Sequence, residues 1–217
     1  MSNDTLTPRQ RALVALSSLA AKGDLERLDG ALRQGLDDGL TINEIKEVLV
    51  QLYAYAGFPR SLNAIHALMA VLDERREQGI QDEEGAEPSP VPEDLDRDDY
   101  GARVRARLAG QDEIPPPAGF QLFAPVIDRF LKEHLFADIF IRDNLDQQSR
   151  ELATVSALAS MTGTEGQLRF HLGAAMNTGL SRAQLDALVA QLRASVGEEE
   201  ASRAKGFLRR FERRFQP

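Results

Sequence analysis

The sequence predicts an all-α protein built from two repeated helical units packed as a pseudo-twofold pair. Three observations lead there. Apolar residues recur at three- and four-residue spacing through both halves of the chain. Capping residues, glycines and prolines separate these stretches at helix-length intervals. The halves also resemble each other: Leu6-Thr-Pro-Arg-Gln-Arg11 matches Leu145-Asp-Gln-Gln-Ser-Arg150, and Gly39 to Leu52 lies over Gly179 to Leu192. In that second match Ile45/Leu185, Val48/Leu188, Leu49/Val189 and Leu52/Leu192 fall in register, so two similar apolar faces are available to bury each other.

Thr7-Pro8 reads as an N-cap followed by proline at the first helical position, and Ala12, Leu13, Leu16, Leu19 and Ala20 carry that helix to Lys22. A second amphipathic stretch, Asp24 to Gln34, stops near Gly35 and Gly39. The third starts at Thr41 with Glu44 at capping-box spacing and presents Ile45, Val48, Leu49 and Leu52. Gly57 and Pro59 break the pattern, and a fourth helix from Arg60 carries Leu62, Ile65, Leu68, Met69 and Leu72, which completes a first unit over residues 1–78. Residues 79–116 turn acidic and proline-rich, especially from Asp82 to Asp99, and read as a solvated connector with a short amphipathic piece at Tyr100 to Leu108. The second unit, 117–217, opens on a stripe of Phe123, Val126, Ile127, Phe130 and Leu131 expected in the core. It closes on an amphipathic helix with Glu198 to Glu200 at its start and Arg209, Arg210, Arg213 and Arg214 at its end, an order that complements the helix dipole. Phe207, Phe211 and Phe215 share one face of it, suited to self-association or to capping the fold.

Composition excludes several classes of function. At 217 residues and 42% hydrophobic content the chain can bury a core, yet it has no long apolar run and no export signal, so a soluble, cytoplasmic protein without membrane contact is expected. With 26 Lys plus Arg against 34 Asp plus Glu, the net charge of -8 opposes nucleic-acid binding. The absence of cysteine removes disulfides, thiolate nucleophiles and cysteine-based metal sites. The three histidines, His66, His134 and His171, stand without a carboxylate cluster at metal-ligand spacing, so no metal site is expected. His66 and His134 read as structural or rim residues.

Two segments carry a family resemblance. Tyr55-Ala-Gly-Phe-Pro59 with Ser61-Leu-Asn-Ala-Ile65 after it, and His171-Leu-Gly-Ala-Ala-Met-Asn-Thr-Gly179 preceded by Arg150-Glu-Leu152, resemble the carboxymuconolactone decarboxylase family, which includes alkylhydroperoxidase D. Ala137-Asp-Ile-Phe-Ile-Arg142 follows the same pattern, and the whole chain is similar to tandem, two-copy members. The resemblance implies helical units that pair and assemble further, as a trimer or a dimer of tandem units. In the peroxidase branch a Cys-x-x-Cys pair precedes the histidine. The matching positions here are Thr164 and Gln167, and in the first unit Asp24 and Arg27, with Ala31 in place of the histidine and Ala56 before the Gly-Phe-Pro turn. Thiol peroxidation therefore has no nucleophile in this chain.

The decarboxylase branch works without metal or organic cofactor, converting 4-carboxymuconolactone to an enol-lactone and carbon dioxide. Such chemistry needs a cation for the anionic substrate and an acid to deliver a proton. On this resemblance His171 supplies the proton, Glu151 orients the imidazole, and Arg150 or Arg142 binds a carboxylate. Arg150 recurs as Arg11, which favours an architectural role for it. Tyr55 and Asn63 flank the Gly-Phe-Pro turn and either contact a ligand or satisfy backbone groups. Because the first unit keeps the turn and the second keeps the histidine, a composite pocket is expected, with His171 near the Tyr55 to Asn63 segment. The function implied is a lyase-type enzyme acting on a small anionic lactone or cyclic carboxylic acid. The alternative is a catalytically idle or ligand-binding helical module.

Overall fold

The computed structural model describes residues 5–215, and side chains through residue 209. In chain order the helices are α1 (Pro8–Lys22), α2 (Leu25–Asp37), α3 (Ile42–Ala56), α4 (Phe58–Glu77), α5 (Arg97–Leu108), α6 (Phe120–Phe123) and α7 (Pro125–Phe130). A π-helical segment, Leu131–Ile139, continues α7, and α8 (Gln147–Ala159), α9 (Glu165–Asn177), α10 (Arg182–Ser195) and α11 (Glu198–Phe215) follow. No β-strand occurs among the described residues.

Helices α1 to α4 and α8 to α11 are the two repeated units, and their starts are encoded alike. Thr41 with Glu44 and Ser181 with Gln184 form reciprocal capping boxes at α3 and α10, and Thr7 with Gln10 forms a third at α1. The α3–α4 corner needs Gly57, whose φ of 84° is a conformation that side chains resist, and Pro59 then sits in the first turn of α4. Helices α1 and α8 cross at the centre, and each also packs on the third helix of the other unit, α1 on α10 and α8 on α3. One apolar core therefore runs through both units, with Leu13, Leu16, Leu49, Leu152, Leu158 and Leu188 all buried in it. Truncating any of these leucines to alanine should cost about 2–5 kcal/mol.

The connector is more ordered than its composition suggests. Glu83 and Glu84 accept backbone hydrogen bonds at 2.9 Å from Ile42 and Asn43, the first residues of α3, so the acidic stretch is laid against that helix start. Helix α5 packs on the π segment and on α9, and Val104 and Leu108 join Leu135, Phe136, Ile139 and Phe140 in a second, smaller core. The approach is close at Gly101, where an added Cβ would stand 1.9 Å from the backbone oxygen of Lys132.

The stripe at the start of the second unit departs from expectation. Phe123 is 92% exposed, and Val126, Ile127 and Phe130 also face outward, whereas the residue that α7 turns inward is Asp128. The physical reason is an ion cluster: Asp128 accepts from Arg105 at 2.5 Å and from Gln121 at 3.0 Å, and Lys132 lies 3.5 Å away. A buried carboxylate requires its cations, and that requirement fixes the rotation of the short helix. At the other end, Ala201, Ala204 and Leu208 seat α11 on the main core. The side chains of Arg210, Phe211, Arg213, Arg214 and Phe215 lie outside the described residues.

Candidate functional site

Glu151, in the first turns of α8, and His171, midway along α9, come together because these two helices pack as neighbours. His171 Nδ1 lies 2.8 Å from Glu151 Oε2, and both side chains are buried. With Glu151 as the carboxylate, Nδ1–H donates to it, which fixes the ring and leaves Nε2 outside this contact. Two aromatic rings hold the imidazole edge-on, Phe170 at 5.1 Å and Tyr55 at 5.4 Å between centroids. Tyr55 belongs to the last turn of α3, so the first unit supplies part of the wall around the second unit's histidine. Burial and the Glu151 charge push the Tyr55 phenol well above its usual range, and it stays protonated. The Tyr55 hydroxyl and Glu151 Oε1 are buried and have no hydrogen-bond partner within normal geometry.

His171 and Tyr55 face a cavity of about 350 Å³. Its apolar walls include Phe120, Leu131, Leu135, Phe136 and Phe170, and its polar groups include Arg105 and Gln167. The π segment contributes Leu131, Leu135 and Phe136, its wider turn bringing the last two adjacent residues to the same side. Gln167 occupies one position where the peroxidase pattern has cysteine. Thr164, at the other, uses its hydroxyl to donate to the Leu158 carbonyl at 2.8 Å.

Arg150 and Arg142, read as carboxylate binders, already hold one that belongs to the protein. Arg150, 0% exposed, donates to Glu47 at 2.9 Å, to Gln51 at 2.8 Å and to the Arg142 carbonyl at 2.6 Å. Arg142 reaches both Glu47 oxygens at 2.9 Å through Nε. A guanidinium buried this completely needs an internal counter-charge, and Glu47 on α3 provides it. Burial pushes the Arg150 guanidinium below its usual range, and the pull of Glu47 opposes that. Neither arginine lines the cavity beside His171. Asn63 does not line it either: it lies on the exposed face of α4. His66 is exposed on the same helix, and His134 pairs with Asp138 at 2.9 Å on the surface. Reading the sequence did not single out Arg105, Glu47 or Gln51. The one available signal was the charge at Asp128 interrupting an apolar stripe, which needed a cation from somewhere.

The corresponding place in the first unit is an open cavity of about 330 Å³ lined by Arg11, Ala12, Ala31 and Gln191, among others. Arg11, Ala12 and Ala31 stand where the second unit has Arg150, Glu151 and His171, and Gln191 of the second unit takes the place of the first unit's Gln51, so the scaffold is duplicated and the Glu–His pair is not. Among the described residues, no three His, Asp or Glu side chains are grouped to hold a metal ion. Among the described residues, no helix is long and apolar enough to cross a membrane.

Two comparisons bear on this arrangement. The family model described as carboxymuconolactone decarboxylase matches residues 1–70 and 125–210, which takes in both repeated units and skips most of the connector. An uncharacterised protein of Methanocaldococcus jannaschii is 31% identical over 70 residues, 32% of this chain and 65% of that relative's length.

Proposed function

Since the chain belongs to the carboxymuconolactone decarboxylase family, we propose that it is a cofactor-free, lyase-type enzyme acting on a small anionic lactone or cyclic carboxylic acid, with His171 as proton donor and acceptor. The observation that carries this reading is His171 at the wall of a mostly apolar cavity with the buried Glu151 carboxylate 2.8 Å behind its ring. Glu151 is the positioning residue: it takes the Nδ1 proton in a hydrogen bond and supports positive charge on the ring. Tyr55 and Phe170 restrict the ring's rotation.

Decarboxylation fits these parts. The bond between the ring carbon and the carboxylate breaks, carbon dioxide leaves, and its electron pair passes into the conjugated lactone as an enolate. The Nε2 proton of the imidazolium then moves to carbon, and solvent restores it. Apolar walls favour departure of neutral carbon dioxide over retention of a carboxylate. Self-association as a trimer or a dimer of tandem units belongs to the same reading and is supported by the outward apolar stripe of α6 and α7.

The test is turnover of a panel of carboxylated lactones, followed by ultraviolet absorbance, with the wild-type protein and His171→Ala. Loss of one proton-transfer group should lower kcat about 10²–10⁴-fold. Equal progress curves would remove His171 from the mechanism. No progress in either protein would leave a ligand-binding module as the function.

A further inference from the structure

Resting on that reading of the cavity, we propose that Arg105, on the connector helix α5, is the residue that anchors the ligand's anionic group, and that the ligand is a small, largely apolar carboxylate. Of the side chains facing the cavity, Arg105 is the one with a fixed charge. His171 and the protonated Tyr55 are the other titratable groups, and no carboxylate lines the wall. Aromatic and aliphatic side chains make up most of the remaining surface. A cavity of this composition disfavours cations, and it recognises an apolar body with a negative group placed at Arg105.

Arg105 has donors to spare. A guanidinium offers five N–H groups in a fork matched to carboxylates. Among the described residues the Arg105 guanidinium makes one hydrogen bond, from Nη1 to Asp128. Asp128 does not belong to Arg105 alone: Gln121 donates to it and Lys132 lies 3.5 Å away. Burial alone would raise the Asp128 carboxyl, but donation from Arg105 and Gln121 outweighs this and holds it below the usual carboxylate range. Asp128 thus occupies one end of the guanidinium and competes with a ligand for its charge, while the remaining N–H groups have no protein acceptor. The arginines that carry the family resemblance cannot take this role while Glu47 occupies them. On this view the connector completes the site, which gives a reason for the close packing of α5 on the π segment.

The experiment is calorimetric titration of the full chain with benzoate and, as the neutral isostere, benzamide. Wild-type protein should bind benzoate at least tenfold more tightly than benzamide, and Arg105→Gln should abolish that preference. Arg105→Lys should keep part of it. Asp128→Asn, which releases the guanidinium from its internal partner, should tighten benzoate about threefold, a gain that damage to the fold would not produce. Equal affinity of the wild type for the two probes would overturn the proposal, as would parallel weakening in Arg105→Gln and Asp128→Asn. Because binding is read without turnover, failure of the lactone panel leaves this result standing. An unaltered benzoate preference in Arg105→Gln leaves the role of His171 standing.

Discussion

Glu151 fixes the orientation of His171. In the proposed mechanism this buried carboxylate, through a single 2.8 Å contact with Nδ1, sets which imidazole nitrogen would meet a ligand. Replacing it with glutamine keeps a hydrogen-bond partner but removes the charge that stabilises an imidazolium. Glu151→Gln should therefore lower kcat about tenfold or more with a smaller change in KM, the pattern of a group acting in the transition state; a change confined to KM would assign Glu151 to binding instead. This pair was legible beforehand because the family resemblance supplied it and because α8 and α9 follow one another in the chain. Arg150 was legible only as architecture, through its repetition as Arg11. Its partner Glu47 lies 103 positions away and left no local trace. Asn63 illustrates the reverse: adjacency to the Gly-Phe-Pro turn in sequence placed it near Tyr55, but one further helix turn carries it to the opposite, exposed side.

Between elements, the decisive contact is α5 against the π segment. Gly101 lets two backbones approach, and any side chain there meets the Lys132 carbonyl. Gly101→Ala should destabilise the protein by about 1–3 kcal/mol, the usual range for overpacking, and should raise amide exchange in α5 ahead of the main core. A neutral effect on thermal unfolding would mean that α5 sits more loosely than the structure has it. The same junction should weaken in acid. Asp128 has a folded-state pKa below its unfolded value near 3.9, so its contribution is complete above about pH 4 and is lost as pH falls through the lower folded value. Far-ultraviolet signals followed below pH 4 in the wild type and in Asp128→Asn should therefore converge. The helical elements themselves were readable from period and caps, since these are local signals. The facing of α7 was not, because an apolar stripe normally turns inward, and only the distant Arg105 explains why it does not.

Over the whole molecule, duplication made the fold readable: two sets of four helices with matched apolar positions can bury those faces only against each other. The copies differ at one of two equivalent places, where Ala12 and Ala31 stand in the first unit and Glu151 and His171 in the second. The halves are joined near the site by charge as well as by leucines. Glu47 of the first unit serves two guanidiniums of the second. Glu47→Gln should cost about 3–5 kcal/mol by stranding the buried Arg150, while Arg150→Met, which leaves Glu47 its pairing with Arg142, should cost markedly less. Equal losses in chemical denaturation would contradict that asymmetry. The central claim is that the first unit's α3 and the second unit's Glu151 together prepare one imidazole for proton transfer through Nε2. Long-range ¹H–¹⁵N correlation of the His171 ring across a pH titration, in wild type and Tyr55→Ala, tests it most directly. The expected result is an Nδ1 proton retained throughout, protonation changes confined to Nε2, and loss of this order in Tyr55→Ala. A ring protonated at Nε2 with Nδ1 bare, or one indifferent to Tyr55, would contradict it.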